Sequence, residues 1–185
     1  MSMMQRIKRL YWLHLSKPRE SRALYRTAHK LRAKRIVEFG ITDPDRSLRL
    51  VKLAVEACSP GQQVCYTALD LFDARSEKRS PLTIKQAHQH FGSSGAKVQL
   101  VPGPLPEGLA RTANTLLGSD LIIFAEDVVP ANDGRFWFYL PRLLHPESCV
   151  LRAHRAGVDQ ECRFAEITHA EVERRASIGL PRRVA

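Results

Sequence analysis

Short apolar runs alternate along this chain with longer stretches whose apolar residues recur at helical spacing. Ile36-Val37-Glu38-Phe39 is the first run and ends at Gly40. Val64-Cys65-Tyr66-Thr67-Ala68-Leu69 is the second and ends at Asp70. Val98-Gln99-Leu100-Val101, Leu121-Ile122-Ile123-Phe124 and Cys149-Val150-Leu151 follow. Runs this short, bounded by Gly, Pro and acidic residues, read as strands. Between them, Leu48, Val51, Leu53 and Val55 sit among Arg49, Lys52 and Glu56 in a helix that ends near Cys58. Leu82 to Phe91 forms another helix, and Glu107 to Leu117 a third that Gly118 ends. Strands alternating with helices imply a parallel sheet with right-handed crossovers. The nearly all-apolar run before Ala125 suits a strand buried on both faces.

The ends of the chain differ from this middle. Met4, Ile7, Leu10, Tyr11 and Leu15 recur at helical spacing until Lys17-Pro18 breaks the pattern. A second amphipathic helix is expected from about Arg19 to Lys34, with Leu24, Ala28 and Leu31 on one face and Ser16 or Ser21 as its cap. The apolar faces of both helices are expected to pack inward, with their basic faces outward. After Arg152, a strand from Arg163 to Ile167 and a helix from Thr168 to Ala176 are expected, with Arg182-Arg183 in a frayed tail. Residues 1–34 thus form a helical extension to an α/β domain at 35–185.

The turn after the first strand narrows the choice of ligand. It reads Gly40-Ile41-Thr42-Asp43-Pro44-Asp45-Arg46-Ser47, with the first glycine of a dinucleotide fingerprint and none of the others. Asp43 is placed to cap a helix with Pro44 at its first position. Two acids at the positive end of a helix dipole repel a phosphate and tolerate a zwitterionic or positive group. Asp70, at the end of the second strand, stands where a ribose needs a hydrogen-bond acceptor; Asp73 competes for that role.

Val37-Glu38-Phe39-Gly40 resembles the first motif of class I S-adenosylmethionine-dependent methyltransferases, the small O-methyltransferase type in particular. Ser59-Pro60-Gly61 with Tyr66 to Asp70, Val98 to Gly103, and Asp120 to Asp127 resemble the following motifs. Phe138 to Leu144 and His145 to Leu151 complete a likeness that covers residues 35 to 152. It implies a three-layer, doubly wound, mostly parallel Rossmann-like sheet, with S-adenosylmethionine as cofactor and a small-molecule methyl acceptor. Cofactor contacts are expected from Glu38, Gly40, Thr42, Asp70 and Gly103, with Glu38 bonding the backbone N–H groups of the glycine loop. Glu126 and Asp127, at the carboxyl end of the fourth strand, are candidates to orient the acceptor or act as general base. Asp133, Arg135, Trp137 and His154 are further candidates for the same cleft. Metal-dependent members carry an Asp-Asn pair after the fifth strand. Arg152-Ala153-His154 stands there instead, so no metal is expected.

Composition adds two constraints. Cys58, Cys65, Cys149 and Cys162 form no C-x-x-C pair, which argues against zinc, and the strand cysteines read as small hydrophobes. The formal net charge is +10, and residues 1–35 carry all of it, with 11 Lys and Arg against Glu20 alone. A basic arm on a neutral domain implies a nucleic acid or an anionic surface as partner. With no membrane-length apolar stretch and no signal-peptide pattern, a cytoplasmic location is expected. The alternative to catalysis is a non-catalytic binding protein on the same fold, recruited to a polyanion or membrane through its arm. Nothing in the pattern specifies the oligomeric state.

Overall fold

The computed structural model describes residues 3–178 apart from 78, 127, 129–133 and 155–161. Its centre is a six-stranded sheet in the order β3-β2-β1-β4-β5-β6. The strands are β1 Arg35–Phe39, β2 Cys65–Asp70, β3 Lys97–Pro102, β4 Leu121–Phe124, β5 Cys149–His154 and β6 Arg163–Glu166. The first five are parallel, and β6 runs antiparallel to β5. The apolar runs therefore mark the strands as expected. Residues 155–161, which join β5 to β6, and the Arg182-Arg183 tail lie outside the described residues.

Strand alternation sorts the core into two layers. Ile36, Tyr66, Ala68, Leu121 and Ile123 face α2 (Glu20–Leu31), α3 (Pro44–Ala57) and α4 (Ile84–Phe91). Val37, Phe39, Leu69, Ile122 and Phe124 face α5 (Leu105–Thr112), α6 (Gly134–Leu143) and α7 (His169–Ile178). On that second face Phe39 stacks on Phe124 at 4.9 Å between ring centres, and Phe136 meets both rings edge-on. Trp137 is buried in this aromatic cluster, so its ring belongs to the core and does not line a cleft.

Helix boundaries follow local chemistry. Asp43 caps α3 as expected, its Oδ1 accepting from the N–H of Asp45 at 3.0 Å and of Arg46 at 3.1 Å, with Pro44 in the first turn. Thr83 and Gln86 form a reciprocal capping box on α4. Thr168 accepts from Glu171 N–H at the start of α7. Neither Ser16 nor Ser21 caps α2: Ser16 Oγ donates back to the Trp12 carbonyl, and Ser21 lies buried inside the helix. The helix also stops at Leu31, because Arg32 adopts a left-handed backbone at φ 48°. Asp120 Oδ2 then accepts from the N–H groups of Lys34 and Arg35, which starts β1. The helix expected from Glu107 to Leu117 is shorter, ending at Thr112 in a single 3-10 turn over Ala113–Thr115.

The N-terminal extension corrects the expected orientation. α1 (Met3–Leu10) leads into a π-helical turn, Tyr11–Leu15. Trp12 and Leu13, on the side opposite Ile7, Leu10, Tyr11 and Leu15, reach the core, and Tyr11 and Leu15 do not. Ile7 and Leu10 are exposed as well, and Leu31 is half-buried. In α2 the inward packing holds: Leu24, Tyr25 and Ala28 join Ile36, Leu50 and Ala54 in one apolar cluster. Leu24→Ala should therefore lower unfolding stability by about 2–5 kcal/mol. Urea denaturation of the full chain measures this, and a loss under about 0.5 kcal/mol would show that α2 is a detachable appendage.

Candidate functional site

The strand order reverses between β1 and β4, and in open parallel sheets the crevice at the carboxyl edge beside such a reversal is where ligands bind. A cavity of about 360 Å³ opens at this edge. Gly40 and Asp70 form its floor, Leu71, Pro104, Leu105 and Pro106 give it apolar walls, and Ser76, Arg79 and Val128 complete the rim.

Asp70 ends β2 and is buried, with 2% exposure. Its Oδ2 accepts from the N–H of Ile41 at 2.7 Å and from Arg75 Nη2 at 2.8 Å. Its Oδ1 accepts from the N–H of Phe72 at 3.0 Å and from Arg75 Nε at 2.8 Å. Arg79 Nη1 approaches Oδ2 at 4.0 Å. Arg75 extends the same network, donating to the carbonyls of Ile41 and Ser80. Phe72 holds a left-handed backbone at φ 47°, an uncommon state for a bulky residue, while its N–H bonds Asp70. Burial alone would raise the Asp70 carboxyl, but the Arg75 guanidinium and the two backbone donors outweigh it and hold the group below its usual range.

Glu38 lies on the same side of the sheet, further from the edge, and has a different role from the one expected. Its Oε1 accepts from Arg46 Nη2 at 3.1 Å and Ser47 Oγ at 2.9 Å, and its Oε2 from the Tyr66 hydroxyl at 2.7 Å. The acid thus ties β1 to α3 and β2 through side chains. It is Asp70 that bonds the loop backbone. The reason is position along the strands: Glu38 shares its face with Ile36, Tyr66 and Asp70, but it pairs with Ala68, two residues short of Asp70, beneath α3 and not at the carboxyl edge. Burial, and then the Glu38 charge, push the Tyr66 phenol well above its usual range, so it stays a donor.

The remaining candidates are dispersed. Thr42 is exposed on the loop, outside the cavity lining. Gly103 has φ 113° and bonds the Asp70 carbonyl through its N–H, which sets the path of the Pro104–Pro106 wall. Glu126 follows β4 half-buried, while Asp127 and Asp133 lie outside the described residues. Asp73 accepts from Ile84 N–H and so serves the start of α4. Arg135 and His154 are exposed, at the start of α6 and the end of β5. Among the described residues, no three His, Cys, Asp or Glu gather as a metal site. Cys149 is no nucleophile: burial, helped by the Glu166 charge, pushes its thiol up to about 11.

Sequence reasoning missed Arg75, Arg79 and Val128. The first two sit in a stretch whose polarity reads as loop, and the signal that could have found Arg75 is its place one short turn after a strand-ending acid. Val128 closes over Gly40. A Cβ added at Gly40 would lie 2.5 Å from Val128 Cγ2, and Gly40 has φ 79°.

Replacing Asp70 with Asn leaves the buried Arg75 without its counter-charge and should cost about 3–5 kcal/mol at neutral pH. The sign of the pH dependence follows from the lowered pKa. The carboxylate's contribution is complete above the unfolded value of about 3.9 and is lost as pH falls through the lower folded one. Melting temperatures between about pH 5 and pH 2 should therefore fall less for Asp70→Asn than for wild type. Parallel acid limbs in the two proteins would mean that the pairing contributes nothing.

No protein-family model matches the chain, and no curated protein matches it. Solved structures do. An O-methyltransferase from Bacillus cereus in complex with SAH superposes with a TM-score of 0.53 at 17% identity, over 76% of this chain and 58% of that one. A TehB-like SAM-dependent methyltransferase from Corynebacterium glutamicum gives 0.51 at 16% identity, over 95% and 79%. The chain spans under two thirds of the Bacillus protein's length. With the strand order and the antiparallel last strand, these likenesses show that the chain has the fold of the class I S-adenosylmethionine-dependent methyltransferases.

Proposed function

We propose that the chain binds S-adenosylmethionine in the cleft over Gly40 and Asp70, and that it transfers a methyl group to a small-molecule acceptor without metal. The observation that carries this reading is a buried carboxylate at the end of β2, forming the floor of a cavity of about 360 Å³ beside the strand-order reversal. The volume falls within the roughly 300–1,000 Å³ of small-molecule sites. The walls of Leu71, Pro104, Leu105 and Pro106 suit a flat base, and Asp70 is the acceptor for ribose hydroxyls. Bound there, the cofactor supplies a methyl group made electrophilic by its sulfonium. The chain's own part is to hold the acceptor in line and exclude water. Glu126 and Asp127, beyond β4, are the residues proposed to orient the acceptor or take its proton.

Two features set a condition on this binding. All four acceptor positions of Asp70 are filled from within the chain, so a ribose diol has to displace the Arg75 fork. Val128 fills the space a Gly40 side chain would take, which narrows a ligand's approach to that glycine. The same features support a second reading, a non-catalytic protein whose fold has replaced the cofactor's contacts with its own.

Thermal denaturation with S-adenosylhomocysteine separates the two. Binding should stabilise the chain by about 2.7 kcal/mol at a hundredfold excess over Kd. Asp70→Ala should abolish the effect, and Arg75→Met should tighten binding by releasing the carboxylate. If neither wild type nor Arg75→Met responds to S-adenosylhomocysteine, the cofactor reading is wrong and the non-catalytic one stands.

A further inference from the structure

The outward face of α1 is the largest unexplained feature outside the cleft. Met3, Met4, Ile7, Leu10, Tyr11 and Leu15 are all between 49% and 79% exposed. At about 100° per residue they fall on one side of the helix, with Arg6 on one margin and Lys8 on the other. The inward side is held by Trp12 and Leu13, and the charge of Arg9 there bears on Glu56 and His29. Lys8 Nζ rests 4.9 Å from the centre of the Trp12 ring, which keeps that margin in place. The helix is therefore anchored by its basic and aromatic side and turns its apolar stripe to solvent.

We propose that this stripe docks on an anionic phospholipid bilayer, with α1 and the turn after it lying in the interfacial plane. Apolar residues on one face with cations at the margins are what such a surface recognises: the first enter the acyl boundary, the second pair with headgroup phosphates. The charge is there to support it, since residues 1–35 carry the whole +10 of the chain. Exposed Arg6, Lys8, Lys17 and Arg19 belong to that segment. A nucleic acid would satisfy these cations and leave the six apolar side chains in water. A second copy of the chain fits no better. An isologous contact along this helix would set Arg6 and Lys8 of one copy against the same cations of the other. Among the described residues no helix is long and apolar enough to cross a membrane, so the contact is peripheral.

Co-sedimentation of the full chain with vesicles of phosphatidylcholine, alone or with added phosphatidylserine, tests this. Wild type should bind the phosphatidylserine vesicles and release as salt is raised. The double variant Ile7→Ser, Leu10→Ser changes two exposed side chains and should keep the wild-type melting temperature. Its binding should fall by about tenfold or more, since two aliphatic groups no longer enter the lipid. Three outcomes would each overturn the proposal. Wild type fails to bind these vesicles, the double variant binds as well as wild type, or analytical ultracentrifugation shows a wild-type dimer that the double variant dissolves.

Discussion

The carboxyl edge of this protein depends on one side chain. Asp70 gathers the loop after β1 through Ile41, its own turn through Phe72, and the following segment through Arg75. Arg75 returns the connection by donating to Ile41 and Ser80 carbonyls. A buried carboxylate without donors would be untenable, and a buried guanidinium without an acid equally so. The two therefore have to be read as a unit that holds three loops in register where a parallel sheet would otherwise fray. Fixing Phe72 in a left-handed backbone belongs to the same arrangement, because its N–H is one of the four donors.

The second buried acid divides the labour. Glu38 works on the α3 side of the sheet, joining Arg46, Ser47 and Tyr66. It and Asp70 stand on adjacent parallel strands, yet share no partner. One locks a helix and a strand to the sheet face; the other locks the loops at its edge. On the opposite face Phe39, Phe124, Phe136 and Trp137 interlock in an aromatic cluster.

Strands and their order of polarity were legible because buried parallel strands must be apolar in runs, and Leu121 to Phe124 leaves no other reading. The cap at Asp43 was legible because an acid before proline has a single helical use. What escaped were features set by tertiary packing. Ile7, Leu10, Tyr11 and Leu15 do share one helical side, but the domain buries the opposite one through Trp12 and Leu13, and helical spacing identifies a face without saying which face packs. Glu38 was expected on the loop backbone because it precedes Gly40 in sequence, whereas Arg46, Ser47 and Tyr66 draw it under α3, short of the edge. Arg75 escaped because its role exists only once Asp70 and Ile41 meet, 29 residues apart in sequence.

Gly40 shows how far fold and function can separate at such an edge. A glycine after the first strand is commonly explained by a ligand that must come close to the backbone. Here the close approach is made by the protein itself, since Val128 occupies the space above Gly40 and φ is 79°. The glycine is thus required by internal packing whether or not a ligand enters, and the acid at Asp70 is satisfied by internal donors in the same way. Both residues would be retained by a chain that had given up chemistry altogether. Their presence specifies the architecture of the edge; displacement of Arg75 is what would free the Asp70 carboxylate for a ligand in the cavity beside it.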